Sequence, residues 1–321
     1  MMGRVIADRI SVIMPCFNAA SFVSDAVNSV LNQSYRNVEL IVVDDGSSDG
    51  SREILRALAE QHSSRLTLLL QERRGPYPAR NLALRHALGG YVAFLDADDY
   101  WRQDCLEKLE SALREHRADV AYCGWQNVGE GAPGTGPYIP PDYVGMDAVV
   151  EFLRGCPWPI HAALVRREAL DSVGGFSERC FSAMDYDLWL KLYANTQRIV
   201  RVAEVMAFYR WHDKGQISRT RWRQVLDAWQ VRRDFVADNR ELFADVPQTT
   251  ITDLRDGWLV REAYAAFWRR DLGDARELFR AVFRHRLWTH RDLKYLVFAL
   301  LPLAWSRPLL ASSDRTKERH P

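Results

Sequence analysis

The 321-residue sequence lacks several features that would define a protein class at once. Its five cysteines are odd in number and form no Cys-x-x-Cys pair, which argues against a zinc ribbon or a thioredoxin-type site and favours reduced thiols. Charge of one sign is not in excess, because 43 lysines and arginines stand against 42 aspartates and glutamates. Nucleic-acid binders need a cationic surplus to displace counterions, so we expect no nucleic-acid partner.

Long apolar runs and phosphate-binding loops are also missing. No uninterrupted apolar stretch approaches the ~20 residues that a membrane-spanning helix requires. The N-terminus carries charges where a secretory signal needs an apolar run, so we expect a cytoplasmic protein. No G-x-x-x-x-G-K-[ST] loop occurs, and no G-x-G-x-x-G follows a predicted strand. A diphosphate ligand would therefore have to be neutralised by a metal ion and by side-chain cations.

The first half of the chain alternates short apolar runs with segments of helical periodicity. Strands are predicted over residues 10–14, 38–43, 66–70 and 91–95, with amphipathic helices between them. Such alternation produces β-α-β crossovers, so the sequence predicts an α/β fold with a mainly parallel sheet flanked by helices. Further on, strands are predicted over 160–165 and 202–209, a helix over 185–194 and a loop over 129–141.

Three of these predicted strands end in polar clusters. The clusters are Pro15-Cys16-Phe17-Asn18, Asp44-Asp45-Gly46-Ser47 and Asp96-Ala97-Asp98-Asp99. Ligands of open α/β sheets bind at the carboxyl ends of the strands, so three clusters at equivalent positions favour a ligand site over simple strand termination. Two carboxylates on one turn, Asp96 and Asp98, suit Mg²⁺ or Mn²⁺ beside a nucleotide diphosphate.

The strand pattern stops near residue 219. Helical periodicity then covers residues 225–235, 256–269 and 274–283, with a turn predicted at Leu272-Gly273-Asp274. We therefore predict an α/β domain over residues 1–219, a helical C-terminal region over 220–311 and a polar tail over 312–321. The uncharged stretch 295–306 follows a basic segment. It is either a buried helix or an interfacial helix, which leaves open a peripheral membrane contact through residues 284–311.

Five segments, in order along the chain, resemble the family 2 glycosyltransferases of GT-A fold. They are residues 11–51, 75–101, 174–178, 184–192 and 209–218. The resemblance covers about residues 9–219 and implies a GT-A type, Rossmann-like mixed sheet with a C-terminal helical extension. It also implies an inverting glycosyltransferase that moves a sugar from a nucleotide-diphosphate sugar, with a UDP-sugar favoured, to an acceptor hydroxyl. The acceptor would be a saccharide or a lipid-linked molecule in cell-surface polysaccharide or glycolipid synthesis, met at the inner face of the membrane.

The resemblance also implies the residues of the nucleotide site. Pro15, Phe17 and Asn18 match the segment that packs on the nucleotide, with Phe17 against the base. Asp45 would accept a hydrogen bond from the base imide N–H, and Arg80 would lie near the nucleotide.

The remaining implied roles concern the metal and the acceptor. Asp98 would coordinate Mn²⁺ or Mg²⁺ directly, Asp96 would face the ribose or a metal-bound water, and His212 would complete the metal site. Asp185 would be the catalytic base. Its neighbour Met184 stands where the family usually has Glu, which puts the acceptor contacts in doubt.

Two further expectations concern a second aspartate of the predicted helix and the residues that contact the acceptor. Asp187 lies two residues beyond Asp185 on another side of the predicted helix, so we expect a structural role for it. Acceptor specificity is expected from residues 129–141 and from the surface around Trp158, Trp189 and Trp211.

Two alternatives to a glycosyltransferase remain open at this stage: a non-catalytic nucleotide-sugar-binding module, and a sugar-nucleotide pyrophosphorylase.

Overall fold

The computed structural model describes residues 5–132, 134–144, 147–212 and 221–300. The chain divides into two compact units, Met1–Gln216 and Ile217–Pro321. The domain boundary predicted at residue 219, the tail 312–321 and the end of the apolar stretch, 301–306, lie outside the described residues.

Strands and helices alternate through the first unit. Its described strands are β1 (Ile6–Cys16), β2 (Val38–Asp45), β3 (Leu66–Gln71), β4 (Gly89–Phe94), β5 (Tyr100–Trp101), β6 (Val120–Val128), β7 (Pro137–Tyr138), β8 (Ala163–Arg166) and β9 (Ile199–Arg210). Its described helices are α1 (Val23–Leu31), α2 (Ser51–Gln61), α3 (Pro76–Leu84), α4 (Cys105–Glu115), α5 (Ala148–Arg154), α6 (Arg167–Ser172) and α7 (Met184–Asn195).

All of these strands join one mixed sheet. The order is β3-β2-β1-β4-β8-β6-β9-β5, and β7 pairs with β6. The strands β3, β2, β1 and β4 are parallel, as the sequence predicts, whereas β8 is antiparallel to both β4 and β6. Residues 10–16 of β1 are buried without interruption because both faces of the parallel part are covered. The carboxyl ends of β1, β2 and β4 therefore meet at one edge of the sheet.

The main differences from the sequence prediction lie around β6. This strand pairs with β8 and β9, yet its polar second half hides it from a search for apolar runs. The loop predicted over 129–141 contains the short strand β7, and Ile160–Ala162 is a 3₁₀ turn ahead of β8. A G-x-G-x-x-G spacing does follow a strand after all, at residues 129–134, but it leads to β7 and not to a helix.

The second unit is helical over its described residues. It contains α8 (Arg221–Asp238), α9 (Gln248–Thr252), α10 (Trp258–Trp268), α11 (Leu272–Arg284) and α12 (Leu293–Leu300), with a π-helical turn at Asp253–Gly257. The turn predicted at residues 272–274 is wrong, because α11 begins at Leu272 and the chain turns at residues 269–271.

Aromatic side chains hold α10, α11 and α12 together. Phe267, Phe279, Tyr295 and Phe298 are buried in one cluster, and the rings of Phe279 and Tyr295 stack 4.7 Å apart. The described part of the apolar stretch, α12, therefore packs one face as a buried helix. No helix in the four described ranges combines the length and the apolar character that crossing a membrane requires.

Candidate active site

The ends of β1 and β2 are joined by hydrogen bonds from Asn18. Its backbone N–H donates to Ser47 Oγ at 3.0 Å, and its side-chain Oδ1 accepts from the Ser48 N–H at 2.9 Å. Asn18 has φ 50°, a left-handed conformation that Asn tolerates better than most residues. Pro15 is buried in β1 opposite Val43. Both residues shape the loop, while the Phe17 ring next to them is 40% exposed and offers a surface for a ligand.

Asp44 and Asp45 are adjacent, but their carboxylates face different partners. Asp44 accepts from Arg52 Nε at 2.6 Å and from the Ser47 N–H at 3.0 Å, so it holds the turn. Asp45 accepts from Gln71 Nε2 at 2.7 Å and from the backbone N–H groups of Arg74 and Gly75 at 2.7 and 2.8 Å. The end of β3 and the loop that follows it thus hold the Asp45 carboxylate, and the Arg73 side chain contacts both this carboxylate and the Phe17 ring.

Arg80 on α3 forms the buried cation of the site. It is 4% exposed, forms an ion pair with Asp96, and lies 5.5 Å from the centroid of the Tyr77 ring and 5.4 Å from that of Phe176. Burial lowers the pKa of Arg80, but the charges of Asp96, Tyr77 and Asp185 more than offset this and the pKa is raised. Arg80 therefore stays protonated and links the end of β4 to the start of α7.

Asp185 lies in the first turn of α7. Burial raises the pKa of its carboxyl group, and Asp96 adds to the rise; the N–H of Tyr186, at 2.8 Å from Oδ1, and the charge of Arg80 oppose it. A carboxylate with a raised pKa is a better proton acceptor than an ordinary aspartate. Asp185 is thus a carboxyl group of raised pKa that is within electrostatic range of the Arg80 cation and the Asp96 carboxylate.

The residues on either side of Asp185 serve the fold. The Met184 side chain is fully buried, so in this conformation it offers no contact to an acceptor. Asp187 is buried and forms ion pairs with Arg179 and Lys191, each at 2.7 Å, in agreement with the structural role expected for it. Ala183 precedes the helix with φ 59°, a strained conformation for a residue with a Cβ atom.

Asp98 and His212 are in contact. The distance between His212 Nε2 and Asp98 Oδ2 is 3.0 Å, and the His212 ring packs 4.5 Å from the ring of Phe22. Two residues implied for the metal site, from the distant segments that follow β4 and β9, are therefore brought together. Asp96, the third of them, turns instead to Arg80.

These two side chains fit a divalent cation of the size of Mg²⁺ or Mn²⁺. Neighbouring ligands of an octahedron with bonds of ~2.1 Å are about 3.0 Å apart, which is the separation of Asp98 Oδ2 and His212 Nε2. A carboxylate oxygen and an imidazole nitrogen also suit Mn²⁺. No group of three or more His, Cys, Asp or Glu side chains able to hold a metal occurs among the described residues, so water or ligand oxygens would have to complete the shell.

The buried pair of His161 and Asp99, the residue after Asp98, was not predicted from the sequence. Asp99 Oδ2 lies 3.1 Å from His161 Nδ1, and Asp99 Oδ1 accepts from the Arg210 N–H at 2.8 Å. Burial lowers the pKa of His161 to about 4 and, together with Asp98 and Asp96, raises that of Asp99 well above its usual range. Both shifts favour the neutral forms, and Asp99 fixes the strand that leads to His212.

The predicted acceptor surface around the tryptophans is wrong in part. Trp158 and Trp189 are 2% and 1% exposed and pack on each other, 5.6 Å between centroids, so neither can stack on a sugar. Trp211 remains near the site, next to Tyr209. Two further residues were not selected from the sequence: Arg73, which the loop after β3 places against Phe17, and Tyr77, which lies near Arg80 on α3.

Comparisons with known proteins assign this fold to a class of glycosyl-transferring enzymes. The family model for Glycosyl transferase family 2 matches residues 11–174. TuaG of Bacillus subtilis, a glycosyltransferase whose name assigns it to teichuronic acid biosynthesis, is 32% identical over 70% of this chain and 87% of its own. The UDP-Glc:alpha-D-GlcNAc-diphosphoundecaprenol beta-1,3-glucosyltransferase WfgD of Escherichia coli is 31% identical over 71% of this chain and 86% of its own.

Solved structures show the same fold. The mannosyltransferase PcManGT from Pyrobaculum calidifontis, in complex with GDP-Man and Mn²⁺, superposes with a TM-score of 0.61 at 24% identity, over 93% of this chain and 87% of its own. Residues 1–349 of S. aureus TarS in complex with UDP-GlcNAc give 0.60 at 24% identity, over 78% and 71%. The chain belongs to glycosyltransferase family 2 and has the GT-A fold. It is a glycosyltransferase enzyme, and not a sugar-nucleotide pyrophosphorylase or a non-catalytic binding module, the two alternatives left open by the sequence.

Proposed function

We propose that this enzyme transfers a sugar from a nucleotide-diphosphate sugar, with a UDP-sugar favoured, to an acceptor hydroxyl with inversion at the anomeric carbon. The observation that carries the proposal is the Arg80–Asp96–Asp185 cluster. It puts a fixed cation and a carboxylate of raised pKa at the carboxyl edge of the sheet. One such carboxylate is sufficient for a single displacement, which inverts the configuration.

The donor occupies the edge formed by β1, β2 and β4. Phe17 stacks on the base and Asp45 accepts from its imide N–H, while Pro15 and Asn18 hold the loop that carries Phe17. Arg80 stabilises the charge that develops on the diphosphate leaving group. Its pairing with Asp96 keeps the guanidinium in place before the donor arrives.

Asp98 and His212 would hold Mn²⁺ or Mg²⁺, and Asp96 would face the ribose or a water of the metal. When bound, the cation supplies positive charge for the diphosphate. PcManGT, a solved structure of the same fold, is in complex with Mn²⁺, which supports a divalent metal here.

Asp185 accepts the proton of the acceptor hydroxyl as its oxygen attacks the anomeric carbon. A carboxylate is a weak base toward an alcohol, but the hydroxyl becomes acidic as its bond to carbon forms. The raised pKa of Asp185 brings its basicity closer to what the acceptor hydroxyl requires. The Tyr77 hydroxyl accepts a hydrogen bond from the Met184 N–H at 3.4 Å, next to Asp185 in the first turn of α7.

The acceptor belongs to cell-surface polysaccharide synthesis, as the names of TuaG and WfgD suggest for those relatives. A lipid-linked acceptor would also give a role to the described segment 284–300 of the helical unit. Its exposed residues include three large apolar side chains and three arginines: Trp288, Leu293, Leu300, Arg284, Arg286 and Arg291. Such a composition favours peripheral contact with an anionic membrane, through the part of the predicted segment 284–311 that is described.

The test is turnover of a panel of UDP-, GDP- and dTDP-sugars with Mn²⁺, in which release of the nucleotide is measured and NMR identifies the anomer of the transferred or hydrolysed sugar. We expect one donor to be consumed, with inverted product. Asp185→Asn should lose this activity while Asp187→Asn, which removes a carboxylate from the same helical turn, should retain it. Retained configuration or a fully active Asp185→Asn would contradict the proposal.

A further inference from the structure

The guanidinium of Arg73 occupies the place that the proposed function gives to the base. It lies over the Phe17 ring, 3.1 Å from guanidinium carbon to ring centroid. Its Nη1 is 3.5 Å from Asp45 Oδ2. A planar group that covers an aromatic face and points a donor at a carboxylate is arranged as a uracil ring would be, with its imide N–H toward Asp45.

The backbone of Arg73 is fixed, so only its side chain can leave. A Cβ atom at Gly46 would lie 3.1 Å from the Arg73 backbone nitrogen, which shows how closely the two loops pack. The next two residues, Arg74 and Gly75, donate their N–H groups to Asp45. The Arg73 side chain is about half exposed and can swing into solvent without disturbing these bonds.

Asp45 retains room for one more hydrogen bond. A carboxylate accepts about four, and three of these positions are taken by Gln71, Arg74 and Gly75, two on Oδ1 and one on Oδ2. The remaining position on Oδ2 faces Arg73. Uracil and thymine present one imide N–H between two carbonyls, whereas guanine presents two neighbouring N–H donors and would leave one of them unpaired.

We infer that Arg73 controls the affinity of the donor site and Asp45 its specificity: the Arg73 guanidinium holds the base position in the donor-free enzyme and gives way to the base, and Asp45 prefers a base with a single imide N–H. The inference rests on the proposed function. Arg73 lowers the affinity for every nucleotide, because the base has to displace it. Asp45, with one acceptor position left, selects uridine or thymidine diphosphates over guanosine diphosphate.

The experiment is calorimetric titration of uridine, UDP and GDP, with Mn²⁺, into wild type, Arg73→Ala and Arg74→Ala. Arg74 is the matched control because it carries the same charge one residue away, more exposed, and its side chain pairs with Glu178 instead. We expect Arg73→Ala to bind uridine and UDP about 3- to 10-fold more tightly than Arg74→Ala does. Neutral uridine removes any effect of the lost charge on the diphosphate.

The possible outcomes separate the two claims. Equal or weaker binding of uridine and UDP by Arg73→Ala overturns the inference, and weaker binding would make Arg73 a direct ligand of the base. Tighter binding of GDP than of UDP by wild type overturns the argument from Asp45. If wild type binds none of the three, the proposed function itself fails. Equal melting temperatures of the two variants show that the comparison concerns the site and not the fold.

Discussion

The two ends of the site are built in different ways. At the β1–β2 end, residues 15–18 and 44–47, backbone groups and glycine turns fix the side chains: Asp45 takes two of its hydrogen bonds from backbone N–H groups. At the β4–α7 end, Arg80, Asp96 and Asp185 are held by one another's charges. The first end therefore depends on loop geometry, and the second on the balance between burial and charge.

This difference matters for the proposed function because that function gives the two ends different tasks. Recognition of a base needs fixed hydrogen-bond partners, which rigid loops supply. Proton transfer needs a base whose pKa is shifted, and stabilisation of a leaving group needs a charge held in place. Buried clusters of charged groups supply both. Changes at the β4–α7 end should thus affect turnover most, and also stability where they break a charge pair. Changes at the β1–β2 end should affect affinity, and stability where they disturb the packing of the loops.

The largest effect is expected at the β4–α7 end from Asp185→Asn. Loss of the general base should lower kcat by about 10³-fold, because amide nitrogen and oxygen cannot accept the proton. The dissociation constant for UDP should change less than about 3-fold, since Asp185 does not contact the base. Steady-state kinetics and calorimetry measure the two quantities, and a parallel loss of UDP affinity would show that the cluster acts as one unit with the nucleotide site.

Arg80 offers the next largest effect. Arg80→Met leaves Asp96 without its cation at the edge of the core, and we expect the free energy of unfolding to fall by about 2 to 3 kcal/mol in a urea titration. Arg80→Lys keeps the positive charge but replaces the guanidinium by a single amine, so its free energy of unfolding should fall by less. Equal losses in the two variants would mean that the shape of the guanidinium between Tyr77 and Phe176 matters more than its charge.

At the β1–β2 end, Gly46→Ala should cost about 1 to 2 kcal/mol of stability. Gly46 has φ +77° and a Cβ atom there would press on the Arg73 nitrogen at 3.1 Å. Gly50, with φ +95° and no atom within 4 Å of such a Cβ, is the control, because Gly50→Ala carries the backbone strain alone. The amount by which Gly46→Ala loses more free energy of unfolding than Gly50→Ala measures the contact between the two loops. Equal losses would contradict the inference that the Arg73 backbone is fixed by this contact.

The smallest effect concerns pH. Because burial raises the pKa of Asp185, kcat/KM should fall on acidification at a pH above the ~4 of an ordinary aspartate. The same shift means that ionised Asp185 destabilises the fold as pH rises through this pKa. Asp185→Asn should then be more stable than wild type at neutral pH, and the gain should disappear in acid. An acid limb at or below pH ~4 would show that the carboxylate is solvated and not tuned.

The same contrast explains what the sequence could predict. The parallel strands could be predicted because each is a short apolar run. The edge where they meet could be predicted because parallel strands end on the same side of the sheet, where the polar clusters 15–18, 44–47 and 96–99 follow. The strand β6 was missed because its second half is polar. The tryptophans Trp158 and Trp189 were misplaced because their sequence neighbours do not say which face is buried.

Long-range contacts were beyond the pattern of the sequence. The pairing of Asp99 with His161 joins a turn after β4 to a 3₁₀ turn sixty residues on, and Arg73 meets Phe17 through the packing of two loops. The resemblance to family 2 supplied Asp98 and His212 together, which no local rule would connect. The pKa shifts of Asp99 and Asp185 depend on burial and could be obtained only from the structure.

The most direct measurement is calorimetric titration of UDP, GDP and dTDP into wild type and Asp98→Ala, each with and without Mn²⁺. We expect one nucleotide to bind, Mn²⁺ to strengthen this binding, and the strengthening to be lost in Asp98→Ala. Asp104→Ala, which removes an aspartate that pairs with Arg102 and Lys108 instead, should behave as wild type. Absence of nucleotide binding, or binding that neither Mn²⁺ nor Asp98→Ala changes, would contradict the central claim that this edge of the sheet is a metal-assisted nucleotide-sugar site.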